Sequence, residues 1–365
     1  MKIAVDARTL GSRPSGVGMY LNDFLKVLMT YEDLEFVLIS DVAESEYIKY
    51  FESCGIKVMS LGKSIYRSAG VIEYFKFVKK CLKVIDPDIF WEVNTCIPVR
   101  LTGRYKIMIT IHDMFPVEYP EYFGKVYSLY FNHCLKLTLK HSDMILYNSN
   151  QTKITTEKYY PQAAKIANCN AYIIANPLKD KWETCDKGYL LYVGNMEKRK
   201  GVDLLLKGYR RYKEMGGEKE LLLAGKMQEE DIQNLLNETQ AAVDGITYYG
   251  YVKHDEKHKL FSECSCFVFP SKAEGFGMPI IEVMKFAKPI LVGKLDIYTE
   301  ITGDVLNTFD MNVSEEGQIQ NLADAMFGFN SDVDVEAYEK VIARYAPDRL
   351  GKLVHDFVLS NMEGS

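Results

Sequence analysis

Apolar residues along this chain fall into two alternating patterns. Runs that are apolar almost throughout, at residues 2–6, 35–40, 89–92, 105–111 and 142–149, read as strands buried on both faces, because a strand with one wet face would alternate. Stretches at 19–28, 64–85 and 150–160 instead place apolar residues at helical spacing. The same rhythm resumes in the second half, with strands at 189–193, 220–224, 246–249, 266–269 and 289–293, helices at 202–212 and from Pro279, and a last helical stretch at 338–362. Strand and helix in alternation predict parallel sheets covered by helices, the doubly wound α/β class. An apolar run at 171–175 followed by Asn176-Pro177 marks a linker, with 142–149 as the last core strand before it. Two domains are therefore expected, over 1–176 and 177–340, with 341–365 as a terminal helix.

Residues 268–289 carry the most chemistry. A strand stops at Pro270-Ser271, a loop reads Glu274-Gly275-Phe276-Gly277, and Pro279 suits the first position of a helix. Without Cβ atoms, Gly275 and Gly277 let the backbone approach a ligand, and the helix start adds N–H groups and the positive end of the dipole, which suit a phosphate. Glu274 in the loop and Glu282 in the first helical turn frame that place. Neither has a metal-ligand partner at useful spacing, so accepting hydrogen bonds from hydroxyls is their natural work. Hydroxyls beside a phosphate describe a nucleotide sugar. A plain strand-to-helix connection with two solvated glutamates is the alternative.

Three further places present candidate groups. After the first strand, Arg13-Pro14-Ser15-Gly16-Val17-Gly18 leads into a helix, again an arrangement that offers N–H groups to phosphate. A dinucleotide-binding loop is the rival there, with Asp41 as its acidic residue, although the third glycine of that motif is missing. His112 closes the strand at 105–111, the carboxyl end where open parallel sheets put ligand contacts, and Asp113 beside it could orient the imidazole or cap the next segment. In the second half Gly194-Asn195-Met196-Glu197 leads to Lys198-Arg199-Lys200-Gly201 at a helix start. Three adjacent cations repel one another unless an anion is bound, which selects Lys200 for a diphosphate.

Charge adds one asymmetry. Of 44 Lys and Arg, 21 lie within residues 1–176 against 18 Asp and Glu, whereas the remainder carries 23 against 32, so the front half is the one suited to an anionic surface. The helical pattern at 64–85 sets Arg67, Lys76, Lys79, Lys80 and Lys83 against Glu73 alone, a candidate for peripheral membrane contact or a lipid-diphosphate acceptor; a core-packed helix with solvated lysines is the alternative. No apolar run reaches the length of about 18 residues that a spanning helix needs, so a cytoplasmic protein is expected. Eight scattered cysteines without a Cys-x-x-Cys pair imply neither disulfides nor zinc. Asp86-Pro87-Asp88 and Asp332-Val333-Asp334 read as turns, so no metal is expected.

Glu274 and Glu282, with seven residues between them that include Gly-Phe-Gly, the Pro-Ser-Gly-x-Gly opening loop and the His112-Asp113 pair before an aromatic-Pro loop resemble the retaining glycosyltransferase family 4, the group 1 glycosyltransferases. The resemblance runs over nearly the whole length, and the Asn195 form of the basic turn is similar to mannosyltransferase-type members. It implies a GT-B fold, two Rossmann-like domains facing across a cleft, with the terminal helix crossing back to the first. It implies His112 and Glu274 as catalytic, with Glu274 on the donor's sugar hydroxyls and His112 near sugar and acceptor. Glu282 would hold the ribose, and Gly16, Gly18, Asn195, Arg199, Lys200, Ser271, Gly275, Phe276 and Gly277 would serve the donor, with Val252 in the base-binding loop. The implied reaction is metal-independent transfer with retention, from a GDP-mannose-type donor in preference to a UDP-sugar, to a lipid-linked or saccharide acceptor of surface polysaccharide, at the inner face of the cell membrane. Rival readings are a sugar-nucleotide epimerase of the same fold, an NAD-dependent dehydrogenase and an inactive nucleotide-binding scaffold.

Overall fold

The computed structural model describes residues 1–11, 14–65, 68–178 and 182–362. Tyr66 and Arg67 of the basic helical pattern, and Ser12 and Arg13 of the first loop, lie outside them. The chain divides into two compact units, one formed by residues 1–176 with 345–365 and the other by 177–344.

In the first unit the strands are β1 (Lys2–Asp6), β2 (Glu35–Ser40), β3 (Lys57–Ser60), β4 (Ile89–Glu92), β5 (Lys106–Ile111), β6 (Met144–Tyr147) and β7 (Ala167–Asn170). They form one parallel sheet in the order β3-β2-β1-β4-β5-β6-β7. Its helices are α1 (Gly16–Leu28), α2 (Glu46–Ser53), α3 (Ser68–Ile85), α4 (Phe115–Glu118), α5 (Pro120–Phe123), α6 (Lys125–His141) and α7 (Asn150–Tyr159). The central strands are buried on both faces, as their uninterrupted apolar runs require. Two edge strands had no such signal: β3 and β7 are only partly buried, and β7 reads Ala-Asn-Cys-Asn. The sheet therefore continues one strand past the stretch at 142–149.

The apolar side of the helical pattern at 64–85 is packed. Tyr74, Phe75, Val78 and Leu82 of α3 enter the core with Ile109, Ile111 and Leu135, while Lys76, Lys80 and Lys83 point to solvent. Each such large apolar side chain contributes about 1.5–3 kcal/mol by leaving water.

The second unit repeats the plan with β8 (Tyr189–Val193), β9 (Glu220–Ala224), β10 (Ile246–Gly250), β11 (Cys266–Phe269), β12 (Ile290–Gly293) and β13 (Asn307–Phe309), all parallel, in the order β10-β9-β8-β11-β12-β13. Its helices are α8 (Val202–Glu214), α9 (Glu230–Ala242), α10 (His254–Glu263), α11 (Met278–Met284), α12 (Asp296–Thr302), α13 (Glu315–Gly328) and α14 (Val335–Ala343).

The stretch at 338–362 is not one helix. Pro347 disfavours helical geometry in the residue before it, and Ala346 is extended with ψ 143°, so α14 ends and α15 (Pro347–Ser360) begins anew. The division between units falls at this break, after Arg344, rather than inside α14 at 340. α15 belongs to the first unit, where Gly351 passes so close to α1 that a Cβ would sit 2.2 Å from Val27.

Candidate active site

In the first unit the candidate groups gather at the carboxyl ends of β1, β4 and β5. Strand β5 delivers His112, whose Nε2 lies 2.9 Å from the Val93 carbonyl oxygen just past β4. A carbonyl can only accept, so Nε2 carries the hydrogen and Nδ1 of the neutral ring is an acceptor. Burial pushes the imidazole pKa down to about 4, although the bond to Val93 opposes the shift. His112 is therefore neutral at pH 7 and is no store of protons there.

Tyr20 of α1 meets the His112 ring edge-on at 4.9 Å and donates to the Ala171 carbonyl. The helix that carries Tyr20 starts at Gly16, and Gly18 lies in its first turn where a Cβ would fall 2.3 Å from the Thr9 carbonyl oxygen. Only glycine allows that close pass, so the opening loop and His112 are braced by the same helix. Asp113 accepts at 3.2 Å from the N–H of Phe115, the first residue of the short helix α4.

Sequence reasoning missed a buried ionic group in the same place. Arg8 pairs with Asp6 at 3.1 Å and with Glu92 at 2.9 Å, and the Tyr74 hydroxyl lies 2.6 Å from Asp6. Glu92 also accepts from the Asn94 N–H at 2.9 Å, one residue past the carbonyl that holds His112. Burial works against the Arg8 charge, but Asp6 and Glu92 outweigh it and hold the guanidinium above its ordinary pKa. Burial, and then Asp6, raises the Glu92 carboxyl well above the usual carboxylate range. A carboxyl buried beside a second carboxylate favours its neutral form. The only trace in the sequence was an acidic residue ending each of two apolar strands.

Asp41, the acidic residue that a dinucleotide loop would employ, is buried, and its Oδ2 accepts from the Ile65 N–H at 3.1 Å. It serves the chain's own loop.

The second unit brings together the basic turn after β8 and the glutamate loop after β11. Lys200 pairs with Glu274 at 2.6 Å, both side chains being largely buried. Arg199 is held by Glu197 at 2.5 Å and by the Ala273 carbonyl at 3.0 Å, and its own carbonyl accepts from the Lys272 N–H at 2.9 Å. The three consecutive cations thus diverge: Lys198 turns to Asp231, Arg199 ties the two loops, and Lys200 faces Glu274. Gly201 makes this approach feasible, with φ of +68° and a position where a Cβ would lie 2.0 Å from the Pro270 carbonyl oxygen. Asn195 is exposed, and its carbonyl accepts from the Tyr192 hydroxyl at 2.8 Å.

Gly277 adopts φ +93° and caps α11, whose first residue is Met278, so Pro279 stands second rather than first. Phe276 is buried, and the Ser271 and Tyr298 hydroxyls are buried facing one another. Glu282 pairs with Lys257 of α10 at 2.6 Å, a partner that spacing alone did not disclose. Val252 is buried in the loop after β10, beyond Gly250 at φ +68°. Among the described residues no group of three or more His, Cys, Asp or Glu is placed to hold a metal ion.

Comparison with known proteins agrees with this geometry. The family of glycosyl transferases group 1 matches residues 178–342, nearly the whole second unit. The O-antigen chain mannosyltransferase B of Escherichia coli is 29% identical over 65% of this chain and 65% of its own length. The O-antigen chain mannosyltransferase RfbU of Salmonella typhimurium is 23% identical over 97% of this chain and 98% of its own. Among solved structures, a sucrose-phosphate synthase from Thermosynechococcus elongatus superposes over 100% of both chains with a TM-score of 0.74 at 14% identity, a likeness of fold. With the glutamate loop and basic turn in the matched unit and two parallel Rossmann-like sheets, the second unit is similar to the group 1 glycosyltransferases and the chain has the GT-B fold.

Proposed function

We propose that this chain is a retaining glycosyltransferase that moves a sugar from a nucleotide-sugar donor to a lipid-linked or saccharide acceptor in surface polysaccharide biosynthesis. The relatives named as mannosyltransferases favour a GDP-mannose-type donor over a UDP-sugar. The observation that carries the reading is the Lys200–Glu274 pair, which sets a cation suited to a diphosphate 2.6 Å from a carboxylate suited to sugar hydroxyls.

In this account the bond from the anomeric carbon to the β-phosphate oxygen breaks while the acceptor oxygen bonds to the same face of the sugar. The acceptor's proton passes to the departing phosphate. Lys200, Arg199 and the backbone of the Gly275 to Gly277 turn stabilise the charge that develops on the diphosphate, which is the work a metal ion does in other transferases. The Asn195 and Ser271 side chains serve the same donor. Glu282, steadied by Lys257, takes the ribose hydroxyls, and the loop that carries Val252 meets the base through its backbone. His112, neutral and with Nδ1 free of the proton, accepts a hydroxyl of sugar or acceptor instead of delivering a proton. A lipid-linked acceptor places the reaction at the cytoplasmic face of the membrane.

The test is transfer of labelled sugar from GDP-mannose and from UDP-glucose to a bacterial membrane lipid fraction, with EDTA present. Label entering lipid with EDTA, from one donor, supports the reading. Turnover that stops with EDTA removes the metal-independent mechanism, and no incorporation from any nucleotide sugar removes the transferase assignment.

A further inference from the structure

Helix α6 carries no acidic residue in its 17 positions, and its outward side is apolar where a surface helix is ordinarily polar. Val126 is 84% exposed and Leu129 70%, with Tyr127, Tyr130 and Leu137 also open to solvent. Exposed apolar residues scattered singly are ordinary. Here 126, 129, 130 and 137 fall on one stripe at helical spacing. The inward side is already satisfied, since Ser128, Cys134, Leu135, Thr138 and Leu139 are buried against the unit. Packing of this unit therefore leaves the outer stripe uncovered.

Charge on the helix points the same way. Lys125, Lys136 and Lys140 lie along one edge of the stripe and His133 within it, all exposed. On the other edge Tyr127 joins a ring cluster with Phe123, Tyr130 and Phe131 at 6.3–6.5 Å. The acids flanking the helix along the chain are Glu121 of α5 and, past its far end, Asp143, which accepts from the Ile107 N–H. Apolar residues flanked by aromatic rings and by long cationic side chains match the layering of a bilayer surface, where rings sit at headgroup depth and lysines reach lipid phosphates. A second copy of the same face would bring only more cations and no anion to meet them. Among the described residues no helix is long and apolar enough to cross a membrane, so the fitting arrangement is a helix lying in the surface plane.

We infer that the outward face of α6 docks the first unit on an anionic lipid bilayer. The inference differs from the membrane contact expected of α3, whose Tyr74 and Phe75 are spent in the core. It stands on the helix itself, independently of the donor chemistry.

The full chain is sedimented with phosphatidylcholine vesicles containing or lacking phosphatidylglycerol, at low and high salt. Binding to the anionic vesicles, weakened by salt, is expected. Leu129→Glu combined with Val126→Glu, and separately the triple change Lys125→Gln, Lys136→Gln and Lys140→Gln, should each lower the bound fraction at least tenfold, while Lys76→Gln with Lys80→Gln and Lys83→Gln on α3 should leave it unchanged. Circular dichroism checks that each variant is folded. Equal binding by the α6 variants, loss on changing α3 alone, or absence of vesicle binding by the parent chain overturns the inference. A dimer of the parent chain that Leu129→Glu dissolves, without vesicle binding, assigns the face to self-association instead.

Discussion

The Nε2–H of His112 donates to the Val93 carbonyl at 2.9 Å, and this one bond fixes which side of the imidazole is left to a substrate. The acceptor nitrogen is Nδ1, and a buried ring with a pKa near 4 stays in that form through the physiological range. If the ring orients a hydroxyl, its loss should be felt in turnover and not in donor affinity. His112→Ala is expected to leave nucleoside diphosphate affinity within about threefold while cutting kcat by about 100-fold or more. Steady-state kinetics beside calorimetry checks this, and near-normal turnover would remove the role.

The same burial makes a stability claim. Because the folded pKa of His112 lies below the ordinary value of 6.5, the unfolded chain binds the proton more readily, so the contribution to stability is whole above pH 6.5 and is lost as pH falls from there toward 4. The full loss is about 3 kcal/mol for a shift of this size. His258 shares the same window, since burial and then His254 lower it to about 4. Only the difference between the parent chain and His112→Asn isolates the first ring. Denaturant unfolding at several pH values should show a shallower loss in the variant, and parallel curves would contradict the account.

Lys200 and Glu274 separate by experiment. Lys200→Met should weaken nucleoside diphosphate binding by about 1.5–3 kcal/mol, the scale of a hydrogen bond to a charged group. Glu274→Gln, which keeps size and one acceptor, should spare diphosphate affinity and depress sugar transfer. Calorimetry with the nucleoside diphosphate and with the nucleotide sugar distinguishes the two, and an equal effect of both changes on the diphosphate alone would merge their roles.

Glu282→Ala should weaken binding of the nucleotide itself, because a carboxylate that accepts from ribose hydroxyls is removed. Lys257→Met provides the control, since it releases Glu282 from its 2.6 Å partner while keeping the carboxylate. A 2′-deoxy nucleotide should bind more weakly to the parent chain and equally to Glu282→Ala. Unequal binding by the variant would break the ribose assignment.

Glu92→Gln tests the proton that burial holds on this carboxyl beside Arg8. A raised carboxyl pKa means the folded chain holds the proton more tightly, so that contribution is present below the ordinary value of 4.5 and declines as pH rises above it. Glutamine is the neutral isostere. The variant should match the parent chain within about 1 kcal/mol at pH 7 and lose less stability toward alkaline pH. A large loss at pH 7 would show that the ionised form is the native one.

What could be read from the chain, and what could not, follows from locality. Strands such as Ile89–Glu92 and Tyr189–Val193 were legible because burial on both faces leaves an uninterrupted apolar run. The edge strand Ala167–Asn170 was not, since an edge needs no such run. Helix α6 escaped because its apolar residues lie on both its inner and outer sides, which blurs the period. The break at Pro347 was visible as a proline but hidden within a longer helical pattern. Glu274, Glu282 and Lys200 announced themselves by spacing with glycine, a local signal. Their partnership across 74 residues, the Lys257–Glu282 pair and the Asp6–Arg8–Glu92 group across 84 residues arise only when parallel strands align their carboxyl ends. The sequence holds the members, and topology makes the pairs.

Calorimetry and thermal shift with UDP, GDP, ADP, their sugar conjugates and NAD, run with magnesium and again with EDTA, test the central claim most directly. Stabilisation by one nucleoside diphosphate and its sugar conjugate, equal in both conditions and lost in Lys200→Met, is the result this account requires. Binding of NAD alone, binding only with magnesium, or no nucleotide binding would contradict it.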